Sequence, residues 1–382
     1  MDVLHPCCAG LDVHKKTVVA CVRRTGPGGA VAAQVRTFAT LTAGLLALAD
    51  WLAAEGVGPV AMESTGVYGK PVFNILEGRF AVLLVNAGHL KQVPGRKTDV
   101  KDAEWIAQLL QHGLLSASFI PPPPIRELRD LTRQRAEVVR DKAAVANRLH
   151  KVLEDANSKL ASVATDILGV SGRAMLQALV AGQEDPEALA ELAQKRLRAK
   201  LPELKLALHG RVTDHHRFLL RVLLEQREAL EGLIGQFDAR IERAMAPRAE
   251  TAERLRGIPG VGPQAAEVIV AEVGADRAVF PTAGHLSSWA GLCPGNDQSG
   301  GRRRPAKTTK GSQWLRTVLV QVAWAASHTK ETVFGACYRR WARRLGRKKA
   351  LVALAHKVLV VIYHMLKEGT SYQERWTPAP VA

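Results

Sequence analysis

"CCAGLDVHKKTVVACVRR", residues 7–24, decides the fold of the first third of the chain. Two apolar, β-branched runs lie either side of "DVHKK", and one carboxylate, Asp12, sits inside the first run. A charged side chain within an apolar strand is costly unless it is paired or holds a metal ion. The stretch therefore predicts two strands and leaves Asp12 either paired or bound to a metal ion. Outward from it, "TGPGG" (25–29) signals a turn and "AVAAQVRTF" (30–38) a third strand. "LTAGLLALADWLAAEG" (41–56) has helical periodicity and ends at a glycine. "PVAMES" (59–64) and "FAVLLVNA" (80–87) read as short buried strands. "TDVKDAEWIAQLLQHG" (98–113) reads as a helix opening at a Thr/Asp cap and closing at Gly113. A meander followed by alternating helices and strands predicts an α/β domain over residues 1–120, a mixed sheet covered by helices.

"PPPP" (121–124) is a stiff break. Beyond it the chain is wholly helical. Leu131, Val138, Val145 and Val152 recur at heptad spacing, and Leu219, Leu223, Gln226, Leu230, Leu233 and Phe237 alternate in steps of four and three. Arg135 and Lys142 interrupt the first seam at its partner positions. The pattern allows an antiparallel coiled-coil arm or oligomer contact, and equally an ordinary helical bundle. The expected organisation is an α/β domain at 1–120, a helical, coiled-coil region at 121–250 and a mainly α domain at 251–382.

The 382 residues carry a formal net charge of +17, and the sequence pI is near 10.0. Such an excess points to nucleic acid or an anionic membrane as partner. The start, "MDVLHPCCAG", lacks the basic-then-apolar layout of a signal peptide. "LVALAHKVLVVIYHML" (351–366) is too short to span a bilayer and contains Lys357 and two histidines. It is expected to be a buried helix, with no membrane partner. Cys7, Cys8, Cys21, Cys293 and Cys337 form no CxxC pair, so no zinc site is expected. Their odd number fits a reducing cytoplasm.

Four features carry candidate chemistry. Glu63 in "AMESTG" ends a buried strand and repeats the anomaly of Asp12, while Asp99 and Asp102 in "KTDVKDAEW" share a helix face. Carboxylates from two strands and a helix suit Mg2+ or Mn2+. Two such ions about 4 Å apart activate a nucleophile and stabilise a leaving oxygen in phosphoryl transfer. Taken singly, Asp99 also reads as a helix cap and Asp102 as a complement to the helix dipole. Second, "RGIPGVGPQAAEVIVAEVG" (256–274) resembles the helix-hairpin-helix DNA-binding motif. Gly260 and Gly262 would let the backbone approach a phosphate held by helix amides, in a contact that positions DNA without reading it. The other reading is a tight turn between packed helices. Third, in "GNDQSGGRRRPAKTTKG" (295–311), Gly300 and Gly301 leave room beside Ser299. Arg302, Arg303, Arg304, Lys307 and Lys310 could grip a scissile phosphate. Ser299 has no local base, so a solvated loop stays open. Fourth, "YRRWARRLGRKKA" (338–350) places Arg339, Arg340, Arg343 and Arg344 at helical spacing, as a phosphate-binding face or a solvated one. Aromatics are too sparse for base stacking on an open platform to be the main mode.

Together these residues resemble the transposases of the insertion sequence 110 group, also named with 116 and 902. "GLDVHK", "MESTGVY", "KTDVKDAEWIAQLL", "GIPGVGPQAA", "WAGLCPGNDQSGG" and "TKGSQWLR" match in order, over residues 9–372. The resemblance implies a RuvC-like, RNase H-like N-terminal domain whose Asp-Glu-Asp-Asp set falls on Asp12, Glu63, Asp99 and Asp102. It implies a coiled-coil region, then a C-terminal transposase domain in which Ser299 attacks a DNA phosphate and forms a covalent phosphoserine. It further implies a homodimer or tetramer, in which the acidic site of one subunit works with the serine of another. A noncoding bridge RNA would pair with target and donor DNA. "GGRRRPAKTTKG" is a variable stretch, so no arginine role carries over. The rival readings are a RuvC-like, metal-dependent, structure-specific nuclease with water as nucleophile, and a non-catalytic nucleic-acid-binding protein.

Overall fold

The protein is described here by a computed structural model covering residues 2–64, 66–85, 99–274, 280–295, 298–299, 301–303 and 307–374. Thr98, Gly300 and Arg304 fall outside these residues, as do the side chains of Asp99, Ser299, Arg302 and Arg303. The chain divides into two compact units, 1–120 and 121–382.

The first unit is built on a five-stranded sheet. Strands β1 (Cys7–Val13), β2 (Thr17–Thr25) and β3 (Val31–Ala39) form an antiparallel meander. Strands β4 (Pro59–Glu63) and β5 (Ala81–Val85) add on the other side of β1 and run parallel to it, giving the order β3-β2-β1-β4-β5. Parallel neighbours need crossover connections. These are supplied by α1 (Thr42–Ala54) before β4 and α2 (Gly69–Leu76) between β4 and β5. Helix α3 (Asp99–Gln111) follows β5. The central strand is buried on both faces, so "CCAGLDV" reads as an unbroken apolar run rather than an alternation. Ala9, Leu11 and Val13 pack with Leu45, Leu48 and Leu52 of α1 and Val72 and Leu76 of α2. Cys8, on the opposite face, packs with Ile106 and Leu110 of α3.

Gly10 lets α3 lie so close. A Cβ at this position would stand 2.3 Å from the Ala107 nitrogen and 2.4 Å from the Ala103 oxygen, both on α3. Burial of both thiols against this helix pushes the Cys8 pKa up to about 12 and that of Cys21 up to about 11, since low-dielectric surroundings disfavour the thiolate.

The second unit is helical. Its long helices α4 (Pro123–Asp155) and, further on, Asp214–Met245 run antiparallel, tied by Arg135 to Asp238, Lys142 to Glu231 at 3.7 Å and Asp155 to His216 at 3.0 Å. Between them lie α5 (Leu160–Val163), α6 (Val170–Val180), α7 (Pro186–Glu191) and α8 (Leu201–Leu208). The second long helix is α9. The four short helices bury Leu160, Met175, Leu189 and Leu204 against Val145, Leu149 and Leu153 of α4 and Leu220 of α9. The hairpin thus ends in a small bundle rather than a bare coiled coil. The proline run does not separate the break from the helix: Pro123 is itself the first residue of α4, where a missing N–H costs nothing.

The seams differ from the heptads expected. On α4, Val138 and Val145 are buried, but Leu131 and Val152 are only partly so, and Leu128 and Leu149 complete the stripe. Arg135 and Lys142, the apparent flaws, pair across the seam with acids of α9. On α9, Gln226 and Leu233 are exposed, whereas Arg227 and Ile234 face inward. The seam is displaced there by one residue because inward arginines and glutamates pair, and an apolar-only pattern cannot see them.

The remaining helices are α10 (Ala249–Arg256), α11 (Pro263–Val273), α12 (Ala283–Trp289), α13 (Gln313–His328), α14 (Val333–Leu345) and α15 (Arg347–Glu368). Among the described residues, α15 alone is long and apolar enough to cross a membrane. Here Leu354, Val358, Leu359 and Ile362 are buried, and α15 packs against α12, α13 and α14. A short hairpin, β6 (Gln298–Ser299) with β7 (Arg302–Arg303), joins α12 to α13.

Candidate functional site

The register of β1 and β4 pairs Leu11 with Met62, so Asp12 and Glu63 stand one step further on, at the same ends of neighbouring parallel strands. Side chains alternate along a strand, which puts both acids on the face that Gly10 and Ala61 turn toward α3. That helix runs opposite to β1. Its Ala107 carbonyl accepts from the Cys8 thiol at 3.5 Å, and its Ala103 and Ala107 backbone crosses Gly10. Two residues beyond Gly10, Asp12 therefore lies toward the first turn of α3, which carries Asp99 and Asp102. Asp12 and Glu63 thus share one end of one sheet face, on the side crossed by the helix that carries Asp102.

Asp12 is only 6% exposed. Its Oδ2 lies 3.0 Å from Nε2 of His14, a partner the strand alternation of "DVH" already places on the same side. Glu63 and Asp102 are half-buried. Hard oxygen donors of this kind suit a small divalent cation. Among the described residues, no three carboxylates, histidines or cysteines are yet gathered as a ligand shell. The chemistry and the shared face fit a metal, and a complete set would draw on Asp99.

Ser299 belongs to the second unit. It stands opposite Arg302 in the hairpin register, with Gln298 opposite Arg303. Two residues link Ser299 to Arg302, and the second, Gly301, has φ +73°. Left-handed backbone in a two-residue hairpin turn is the conformation glycine allows most cheaply. Gly301 thus closes a hairpin. Its base is built separately: Pro294 bridges Thr308, the Gly295 amide donates to the Lys307 carbonyl at 2.9 Å, and the Thr309 amide donates to the Cys293 carbonyl at 3.1 Å. Below that, Gly291 and Gly311 cross so closely that a Cβ on Gly311 would sit 2.2 Å from the Gly291 nitrogen. Lys307 and Lys310 are exposed.

The hairpin's foot rests on a buried carboxylate that sequence reasoning missed. Glu272 is completely buried. It accepts from Arg133 of α4 at 2.7 and 2.9 Å, and from the Ser312 hydroxyl at 3.0 Å. Ser312 in turn caps α13, accepting from the Leu315 amide. Arg129 donates to the Ala271 and Glu272 carbonyls at 3.1 and 2.6 Å. Burial lowers the pKa of Arg129, and Glu272 opposes that shift. The available signal was a glutamate inside the apolar run "EVIVAEV", the same anomaly that marks Asp12.

The two glycines of "GIPGVG" differ. Gly260, at φ +89°, is pressed on α13, where a Cβ would meet the Val322 oxygen at 2.5 Å. Its bareness serves the turn between packed helices, the second of the two readings of this stretch. Gly262 precedes α11 with nothing within 4 Å of its Cβ direction. On α14, Arg339, Arg340, Arg343 and Arg344 are all exposed, as are Arg347, Lys348 and Lys349 at the start of α15. Among the described residues none of the seven forms an ion pair. Arg347, Lys348 and Lys349 stand in the first turn of α15, where cations oppose the helix dipole.

Residues 9–158 match the family model of the IS110 DEDD transposases, described as "Transposase". Residues 252–339 match the model described as "Transposase IS116/IS110/IS902 family". The α/β domain with its acidic edge and the helical C-terminal region are therefore those of a transposase. The chain belongs to the IS110/IS116/IS902 family of insertion-sequence transposases. It is 25% identical over 320 residues to the probable family 20 transposase of Pseudomonas aeruginosa, covering 82% of this chain and 85% of that one. It is 27% identical over 334 residues to the uncharacterized 44.8 kDa protein of insertion element IS116 from Streptomyces clavuligerus, covering 78% and 81%. To the transposase for insertion sequence element IS1111A of Coxiella burnetii it is 26% identical over 329 residues, covering 84% and 81%.

Proposed function

We propose that the protein cuts and rejoins DNA as the recombinase of an insertion sequence, with Ser299 as nucleophile. The observation that carries this reading is the placement of Asp12 and Glu63 at adjacent strand ends beneath the start of α3, in a chain whose serine lies in a braced hairpin. The mixed sheet, three antiparallel strands followed by two parallel ones, supports a RuvC-like first domain. The Ser299 oxygen forms a bond to phosphorus, a sugar oxygen leaves with a proton, and the strand end stays on the protein until a second hydroxyl displaces it. Asp12, Glu63, Asp99 and Asp102 would hold Mg2+ or Mn2+, whose charge polarises the phosphate and lowers the pKa of the attacking hydroxyl. Asp12 is held in place by His14. Lys307 and Lys310, with the arginines of β7, offset charge on the phosphate, and the corner of α14 and α15 holds flanking DNA. Gly262 and the start of α11 position backbone in the manner of a helix-hairpin-helix. Because the sequence around Ser299 offers no base, its activation comes from the acidic domain, supplied by another subunit of a dimer or tetramer. A noncoding bridge RNA chooses the DNA, which suits a protein whose exposed basic residues read phosphate rather than sequence. The absence of any disulfide among the five cysteines suits the cytoplasm.

The test is to trap the reaction on phosphorothiolate DNA and look for protein joined to DNA. The wild type is expected to give an adduct and Ser299→Ala none. An undiminished adduct in Ser299→Ala, or cleavage with no adduct in the wild type, would refute the serine and favour a water-using nuclease. Asp12→Ala should bind DNA and fail to cleave. RNase treatment should abolish site choice.

A further inference from the structure

A cleft of about 500 Å3 lies within the second unit, between α4, the start of α11 and α13. Its volume falls in the ~300–1,000 Å3 range of sites that enclose small organic groups. The walls are largely apolar, formed by Ala136 and Val139 of α4, Val268 of α11, and Val318 and Val322 of α13. The polar lining groups are the carboxamides of Gln264 and Gln321, the hydroxyls of Thr132 and Thr317, the carboxyl of Glu267 and the guanidiniums of Arg133, Arg135 and Arg140. Trp314 closes one side, with the guanidinium of Arg140 at 5.0 Å and that of Arg133 at 5.8 Å from its ring centre.

The charges exclude a bare phosphate as the main occupant. Arg133 is neutralised by Glu272 and Arg135 by Asp238, so the interior offers little net positive charge. Burial raises the Glu267 pKa against the opposing pull of Arg135, with Asp238 and Glu242 adding to the rise. An apolar cleft with carboxamides and a carboxyl among its lining groups matches a nucleobase, whose edges present donors and acceptors together. Among the described residues the one ion pair of Arg140 is with Glu137 on its own helix, an exchangeable contact worth little, which leaves Arg140 able to follow a backbone outside. No side chain caps α11, and Gln264 and Ala265 of its first turn line the cleft.

We propose that this cleft receives one unpaired nucleobase of the nucleic acid the enzyme handles. The site is a recess rather than an open stacking platform, so one tryptophan suffices. Strand exchange leaves bases unpaired at the junction, and holding one of them out of the stack would keep the strands open. The proposal rests on the reading of the chain as a nucleic-acid-handling enzyme. It does not rest on serine chemistry, and Ser299→Ala protein should bind the base normally.

The experiment measures binding of the full chain to three duplexes. One carries a single unpaired 2-aminopurine, one an abasic spacer at that position, and one is fully paired. An RNA hairpin with the same base unpaired separates RNA from DNA as the source. The wild type should prefer the unpaired base over the spacer by about tenfold, the scale of one base stacked or enclosed, with 2-aminopurine fluorescence changing on binding. Val318→Trp, which fills the cleft, should erase the preference and leave the paired duplex unaffected. Gln321→Ala removes only an exposed side chain, folds normally, and should reduce the preference several-fold. Equal affinity for base and spacer in both nucleic acids, or full preference in folded Val318→Trp, overturns the proposal and leaves the cleft to a peptide or another group.

Discussion

Glu272→Ala tests how the second unit braces the Ser299 hairpin. The carboxylate is fully buried, receives two bonds from Arg133 and one from Ser312, and so joins α4, α11 and the start of α13. Removing one member of a buried ion pair costs about 3–5 kcal/mol, because the other charge is left without compensation. The Arg133 side chain is 33% exposed and can partly regain water, which sets the expectation at the lower end, about 3 kcal/mol. For a folding unit of this size each kcal/mol lowers the melting temperature by about 2–4 °C, so the second unit should melt roughly 6–12 °C earlier. Calorimetry of the full chain reads this, with the first unit's transition as internal control. Replacing both partners, Glu272→Met with Arg133→Met, should recover most of the loss, since a packed apolar pair removes the desolvation problem. A loss below about 1 kcal/mol for Glu272→Ala, or a double variant no better than the single, would refute the idea that this buried pair carries the junction.

Three further outcomes follow from the same structure. Gly260→Ala should destabilise the second unit by about 2–4 kcal/mol in urea unfolding, since it combines positive φ with a Cβ placed 2.5 Å from the Val322 oxygen; Gly262→Ala, with open space around it, should cost far less. Changing Arg339, Arg340, Arg343 and Arg344 together to Gln should reduce the slope of log affinity against log salt by about 3–4 for DNA binding, and an unchanged slope would remove this face from the DNA path. At pH 8, Cys8 and Cys21 should resist iodoacetamide in the native protein, because pKa values pushed up to about 12 and about 11 leave them as thiols; peptide mapping should find the half-buried Cys7 and Cys293 labelled first.

The local elements were legible because their signals are local. The strands around Asp12, the helix after Asp99 and the turn at "GIPGVG" follow from apolar periodicity and glycine placement, and they appear where the pattern puts them. Asp12 and Glu63 stood out for a related reason, as charges within or at the end of apolar runs. Glu272 carried that signal too and was missed, since it had no motif around it.

The sequence by itself determined the long helices, the five main strands and the family to which the order of motifs belongs, but not the β6–β7 hairpin in a stretch read as wholly helical. Only the tertiary structure decided what the anomalies face. It put Asp12 and Glu63 side by side through parallel pairing of strands some fifty residues apart, which no spacing rule encodes. It assigned Gly10 to the approach of α3, Gly260 to the approach of α13, and Arg135 and Lys142 to acids across the arm. A residue's identity reports its own chemistry and local conformational preference, whereas the energy of a close approach or a buried charge depends on a partner that only the folded chain supplies.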